Sequence, residues 1–131
     1  MNILKHLFLL SSFLFLVQTV AFSQSTVVFN LNLEPELRDS VFVPGRDYVE
    51  ITGNDYPFTK RNNRLADLST PRDSIYSITL EFTRSDLNKT FNYNFVVFIN
   101  GQPRSESMPR QITIQPGKYE LDPFYFDAFA W

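Results

Sequence analysis

Carboxylates, amides, guanidinium groups and aromatic rings are the chemistry open to this chain. It has no cysteine, and its one histidine, His6, stands close to the start. Without either residue further along, Ser-His-Asp and Cys-His nucleophiles have no base, and zinc has neither thiolate nor imidazole to bind. Two carboxylates could still hydrolyse a glycoside, and Asp67 with Asp73, or Glu106 with Asp122, form such pairs. Fourteen Asp and Glu in 131 residues always offer pairs, however, and solvated surface acids are the simpler reading. The Asp67 to Asp73 segment lacks the run of oxygen ligands and the central glycine of a calcium loop. The four glycines are isolated at 45, 53, 101 and 117, so no phosphate-cradling loop is present. The residues thus predict a protein that is not an enzyme and needs no metal or cofactor.

The elements that must position these groups are strands. Ile75–Phe82 alternates Tyr76, Ile78, Leu80 and Phe82 against Ser77, Thr79 and Glu81. Thr90–Ile99 alternates Phe91, Tyr93, Phe95, Val97 and Ile99 against a more polar side. A period of two marks half-buried strands, because successive side chains point to opposite faces. Residues 26–33 and 47–52 repeat the pattern, with a charged connector at 34–40. Asn100-Gly101 predicts a hairpin, with 102–110 as a long arm and 111–114 returning. Pro44-Gly45 and Pro116-Gly117 read as turns, and 124–129 reads as a last strand. Residues 54–72 form the longest irregular stretch. Val96, Val97 and Phe98 are apolar on both faces, which implies either a strand covered on both sides, as by that loop, or a binding surface. About six to eight short strands with turn signals between them predict an all-β, antiparallel β-sandwich. No second domain and no internal repeat are visible.

Residues 1–23 read as a secretory signal peptide: Lys5 gives a basic start, 7–17 is apolar, and Ala21-Phe22-Ser23 offers a cleavage point. The apolar core is shorter than the roughly 20 residues a membrane span requires. The mature domain is then 24–131, exported to the periplasm or beyond the cell, with no membrane span after cleavage. Its fold must rest on its core, since no disulfide can form. The net formal charge is −2, and the densest basic group is Lys60, Arg61 and Arg64, which reads as a solvated turn. A mildly acidic chain without a basic face does not suit nucleic acid.

In order and spacing, the segments resemble the starch-binding carbohydrate-binding modules of the family 20 and family 48 type. Val27-Val28-Phe29-Asn30-Leu31-Asn32-Leu33 matches the opening V-x-F-x-V-x-M strand. Gly53-Asn54-Asp55-Tyr56-Pro57-Phe58 takes the place of the G-N-W-D-P motif. Leu65, Asp67, Asp73, Tyr76 and Leu80 follow L-x-D…D-x-x-Y-x-x-x-L. Phe91-Asn92-Tyr93-Asn94-Phe95 follows y-x-Y-K-F, with Asn94 in place of lysine. Ser105-Glu106 and Arg110 are the nearest match to W-E…N-R. The resemblance spans nearly all of 26–115 and implies an immunoglobulin-like sandwich, exported and non-catalytic, that holds polysaccharide or oligosaccharide of the α-glucan type. Such modules stack sugar faces on exposed rings. Here the family's tryptophans are replaced, so Tyr56 and Phe58 would be the platform, with Asn54, Asn94, Glu106 and Arg110 as polar contacts.

Each of these residues also has a structural reading. Phe58 can tuck over the sandwich edge, Asn54 can hold a turn, and Asn94 can simply be solvated. Glu106 and Arg110 can form an exposed ion pair of little worth. The alternative function is an immunoglobulin-like interaction module whose partner is another exported protein. The aromatic tail supports that view: Phe129 and Trp131 would join an apolar contact patch.

Overall fold

Alternation along the two longest runs carries directly into burial. The structure, a computed structural model, describes residues 24–129; the expectations for the leader at 1–23 and for Trp131 lie outside that range. Chain order is β1 (Ser25–Asn32), α1 (Glu34–Arg38), β2 (Tyr48–Gly53), β3 (Arg64–Leu65), β4 (Ile75–Phe82), a 3-10 turn at Arg84–Asp86, β5 (Thr90–Ile99), β6 (Gln102–Ser105), β7 (Arg110–Thr113), β8 (Gly117–Glu120) and β9 (Phe124–Tyr125). Among the described residues the protein is all-β apart from these two helical turns, as its periodicity predicts. Among the described residues no helix is long and apolar enough to cross a membrane.

Two mostly antiparallel sheets pack face to face as a sandwich. In the first, β1 lies between β4 on one side and β8 followed by β9 on the other. β4 runs antiparallel to β1, whereas β8 and β9 run parallel to it. In the second, the order is β3-β2-β5, and β6 and β7 share the far side of β5. The two aromatic runs, β4 and β5, therefore belong to opposite sheets, and β4 lies at the edge of its own. The chain crosses between them through the 3-10 turn. There the Thr83 hydroxyl and amide both bond Asp86, a reciprocal cap for so short a turn.

The core is made of the inward rows: Val27, Phe29 and Leu31 from β1, Leu80 and Phe82 from β4, Val49 and Ile51 from β2, and Phe91, Tyr93, Phe95 and Val97 from β5. Phe58 joins them from outside any strand. Its ring lies parallel to Tyr93 at 5.3 Å and meets Phe29 and Phe82 edge-on at 5.6 and 5.8 Å. It thus bridges the two sheets. Edge-on and offset contacts of this kind suit the ring quadrupoles.

Several local expectations change. The 34–40 connector holds one turn of helix: Pro35 presets its first turn, the acids Glu34 and Glu36 lie at its N-terminal end, and Arg38 lies in its last turn. Asn100-Gly101 does turn a tight hairpin, both residues having positive φ. The expected arm and return are both strand: β6 and β7 pair with β5 as one return strand interrupted at 106–109. Of 124–129, only Phe124–Tyr125 is strand. The doubly apolar end of β5 is covered on its outer face by a stack. Phe98 lies on Tyr48 at 4.6 Å, and the Arg64 guanidinium lies 3.7 Å from the Tyr48 ring. The cover comes partly from the irregular stretch, through β3.

Asp47 pins the hairpin turn to the 43–47 loop. Its carboxylate accepts bonds from the Val43 and Asn100 amides at 2.8 and 3.0 Å and from Arg46 at 2.8 Å. Arg46 above all, and then the two amides, hold its pKa well below the ordinary carboxylate range, against the opposing effect of burial. A carboxyl depressed in the folded state adds stability above its unfolded value of about 3.9, and that stability is lost as pH falls through the folded value. Urea-unfolding midpoints should therefore hold steady from neutrality to about pH 5 and decline below about pH 4. The Asp47→Asn variant should show a shallower decline; equal slopes for the two proteins would refute the assignment.

Phe58 is 1% exposed and Gly53 lies beneath it. A Cβ on Gly53 would come within 2.7 Å of the Asn92 carbonyl oxygen and 2.9 Å of the Phe58 Cβ. Phe58→Ala should cost about 3–5 kcal/mol in chemical denaturation. Gly53→Ala should cost about 1–3 kcal/mol through forced backbone movement.

Candidate functional site

The loop after β2 has two opposite ends. At Pro57 and Phe58 it enters the core; the Asn63 amide, itself buried, donates to the Pro57 carbonyl at 2.9 Å and fixes that entry. At Asn54, Asp55 and Tyr56 it stands in solvent. Tyr56 is 59% exposed, with the Lys60 ammonium 5.3 Å from its ring centre. Beside the ring is a hollow of about 390 Å³ lined by Asp55, Tyr56, Asp86, Lys89, Thr90 and Phe91. Among the described residues, neither Lys60 nor Lys89 has a carboxylate within ion-pair distance.

Another cleft, of about 270 Å³, runs over the outer face of the second sheet. Thr52, Gly53, Asn54, Asn92, Tyr93, Asn94 and Pro109 line it. Alternation makes it polar: Phe91, Tyr93 and Phe95 point inward, so Asn92 and Asn94 share the outer side. With its amide assigned in the orientation that its neighbours require, Asn94 donates through nitrogen to the Met108 and Tyr93 carbonyls at 2.9 and 3.1 Å. Burial pushes the Tyr93 phenol up to about 12, so it is neutral at any ordinary pH.

Asn54 and Asn94 thus line one cleft, where the end of β2 meets the start of β5, and Tyr56 lines a separate hollow. The other expected contacts line neither. Phe58 is corrected from platform to core residue, since an interior ring has no face to offer a sugar. Glu106 and Arg110 are corrected from surface groups to a buried pair, with side chains 0% and 9% exposed. Nor do they form the exposed ion pair of the alternative reading. Glu106 fills the interruption between β6 and β7. One oxygen accepts the Phe95 amide at 3.0 Å, and the other accepts the Asp127 amide at 3.0 Å. Arg110 binds both oxygens through Nε and one of them through a terminal nitrogen at 2.6 Å. The carboxylate stands in for ladder partners that the two inserted residues remove.

Around Arg110 is an apolar hollow of about 630 Å³, lined by Met108, Pro123, Phe124, Tyr125, Ala128 and Phe129. Phe124, Tyr125 and Met108 are 44%, 47% and 41% exposed. The guanidinium carbon lies 5.0 Å from the Phe124 ring and 4.8 Å from the half-buried Phe129 ring. The 106–109 bulge separates this hollow from the amide cleft: Met108 faces one and Pro109 the other.

Sequence reasoning missed Asn92, Lys89 and Asp86. Asn92 was legible from its period-two relation to Asn94; the other two come from a turn whose path no local pattern reveals. Among the described residues, no three carboxylate, imidazole or thiolate groups cluster closely enough to hold a metal ion. No protein-family model matches the chain, and no curated protein matches it.

Removing one member of a buried ion pair strands the other charge, at a cost of about 3–5 kcal/mol. Glu106→Gln should therefore destabilise by that order in urea unfolding. A change below about 1 kcal/mol, the worth of an exposed pair, would show that the bulge does not depend on it.

Proposed function

We propose that this protein is an exported, non-catalytic carbohydrate-binding module whose ligand is a polysaccharide or oligosaccharide of the α-glucan type. The observation that carries this reading is Tyr56, a large ring held out in solvent by a loop whose next aromatic, Phe58, is locked in the core. Rigid support beneath an exposed ring favours stacking of a flat sugar face. Lys60 lies against the ring, which leaves the opposite face for a pyranose. Asp55, Asp86 and Lys89 on one side, and Asn54, Asn92 and Asn94 on the other, offer donors and acceptors suited to hydroxyl groups. The resemblance to starch-binding modules supports the α-glucan assignment, and a signal-peptide pattern at 1–23 supports export.

One observation favours a second reading, an immunoglobulin-like interaction module that contacts another exported protein. Phe124, Tyr125 and Met108 expose apolar surface around a hollow larger than the one beside Tyr56. Clusters of this type mark contact surfaces.

Titration with maltoheptaose, followed by intrinsic fluorescence or calorimetry, separates the two. One tyrosine face of about 50 Å² at ~25 cal/mol/Å² is worth about 1.3 kcal/mol, near tenfold in affinity. Tyr56→Ala should weaken binding by about that factor, while Phe124→Ala leaves it unchanged. No binding of the folded wild-type protein at millimolar oligosaccharide would sink the carbohydrate reading.

A further inference from the structure

The last described segment, residues 124–129, belongs to both sheets and is rooted in neither. β9 extends the first sheet by pairing with β1 at only two positions, Leu31 with Phe124 and Asn32 with Tyr125. Its remaining ties go to the second sheet. The Arg110 guanidinium donates to the Tyr125 carbonyl at 3.2 Å, and the Asp127 amide donates to Glu106. The Ser107 amide and hydroxyl donate to one Asp127 oxygen at 2.7 and 2.8 Å. No side chain from 122 to 129 is fully buried; Phe126 and Phe129 are half-buried and the rest are exposed. Phe126 alone of the segment packs against the core, and it does so half-buried, so the apolar burial that opposes departure is limited.

The surface beneath it is built independently. Glu106 has partners besides Asp127: it is bound to Arg110 and to the Phe95 amide. The Leu31–Asn32 edge is held in register by β4 on its other side. The receptor thus remains formed when the segment lifts away, and an open strand edge invites pairing. The connector is suited to release. Leu121 is the last anchored residue, its amide donating to the Val28 carbonyl and its carbonyl accepting from Asn30, both at 2.9 Å. Asp122 and Pro123 follow, exposed. Proline fixes its own φ and drives the residue before it to an extended conformation, so the connector is stiff and resists folding back.

We propose that residues 124–129 form an exchangeable strand, and that the surface they cover accepts the same segment from a second copy of this chain. The occupant follows from complementarity. An edge, a guanidinium and a carboxylate placed to bind this segment within one molecule bind it equally well from another, and the exchanged pair repeats every contact. The exchange leaves the Tyr56 loop untouched and holds whichever ligand that loop takes.

The absence of cysteine makes the test direct. A Ser107→Cys chain and an Asp127→Cys chain each lack a thiol partner of their own at this contact. Mixed in denaturant, refolded together at high concentration and oxidised, they should form a 107–127 heterodisulfide, mapped by peptide mass spectrometry. Its yield should exceed that from Thr59→Cys mixed with Asp127→Cys. Light scattering on wild-type protein refolded in the same way should show a dimer. That dimer should be lost in the Ser107→Cys/Asp127→Cys double variant oxidised while dilute, where the bond closes within one chain. A heterodisulfide no more abundant than the control, or wild-type protein that stays monomeric, overturns the proposal. Should the single variants fail to fold by circular dichroism, the wild-type light scattering decides alone.

Discussion

Phe58 packed against Gly53 is the contact on which the arrangement depends. Two sheets with only a few strands each cannot close their own interior at the end where β2 and β5 meet. A ring from the connecting loop completes it, stacked on Tyr93 from one sheet and edge-on to Phe29 and Phe82 from the other. The fit is tight enough that position 53 has no room for a Cβ. Interiors pack at crystal-like density, so such a plug fixes the backbone on either side of it. Tyr56, two residues earlier, is held out in solvent by the same constraint that takes Phe58 in. The candidate sugar platform and the core plug are thus two outcomes of one loop conformation.

Glu106 plays the corresponding role at the other edge of β5. Two extra residues in the returning strand break its ladder and leave an amide at Phe95 without a strand partner. A buried carboxylate takes that amide, a guanidinium neutralises the carboxylate, and both then reach the tail. A buried ion pair is seldom a net gain in stability over apolar packing. Its effect here is geometric: it fixes where the bulge sits, and therefore that Pro109 lines the amide cleft while Met108 lines the apolar hollow. The two readings of function share this boundary, one on each side of the bulge.

Much of the fold was legible because strand periodicity is a local signal. Val27, Phe29, Leu31, Leu80, Phe82, Phe91, Tyr93, Phe95 and Val97 lie in the core where alternation places them. Turn chemistry was legible for the same reason, as at Asn100-Gly101. The short elements were less so. α1 and β8 are each only four or five residues long, and their states depend on what lies beside them. β8 exists because β1 offers it an edge, in parallel register, ninety residues away in sequence.

By itself, the sequence determined the all-β class and the inward rows, since residue type and period two act through neighbours alone. Tertiary structure decided the rest. It put β4 and β5 in opposite sheets, sent Phe58 inward and Tyr56 outward, and buried Glu106 and Arg110 although both carry charge. None of these is written in local pattern. A ring in a loop is platform or core according to whether a cavity waits beneath it. A charged residue is surface or interior according to whether a partner and an unpaired amide meet it there. Both depend on contacts between segments far apart along the chain, which exist only once the two sheets have closed.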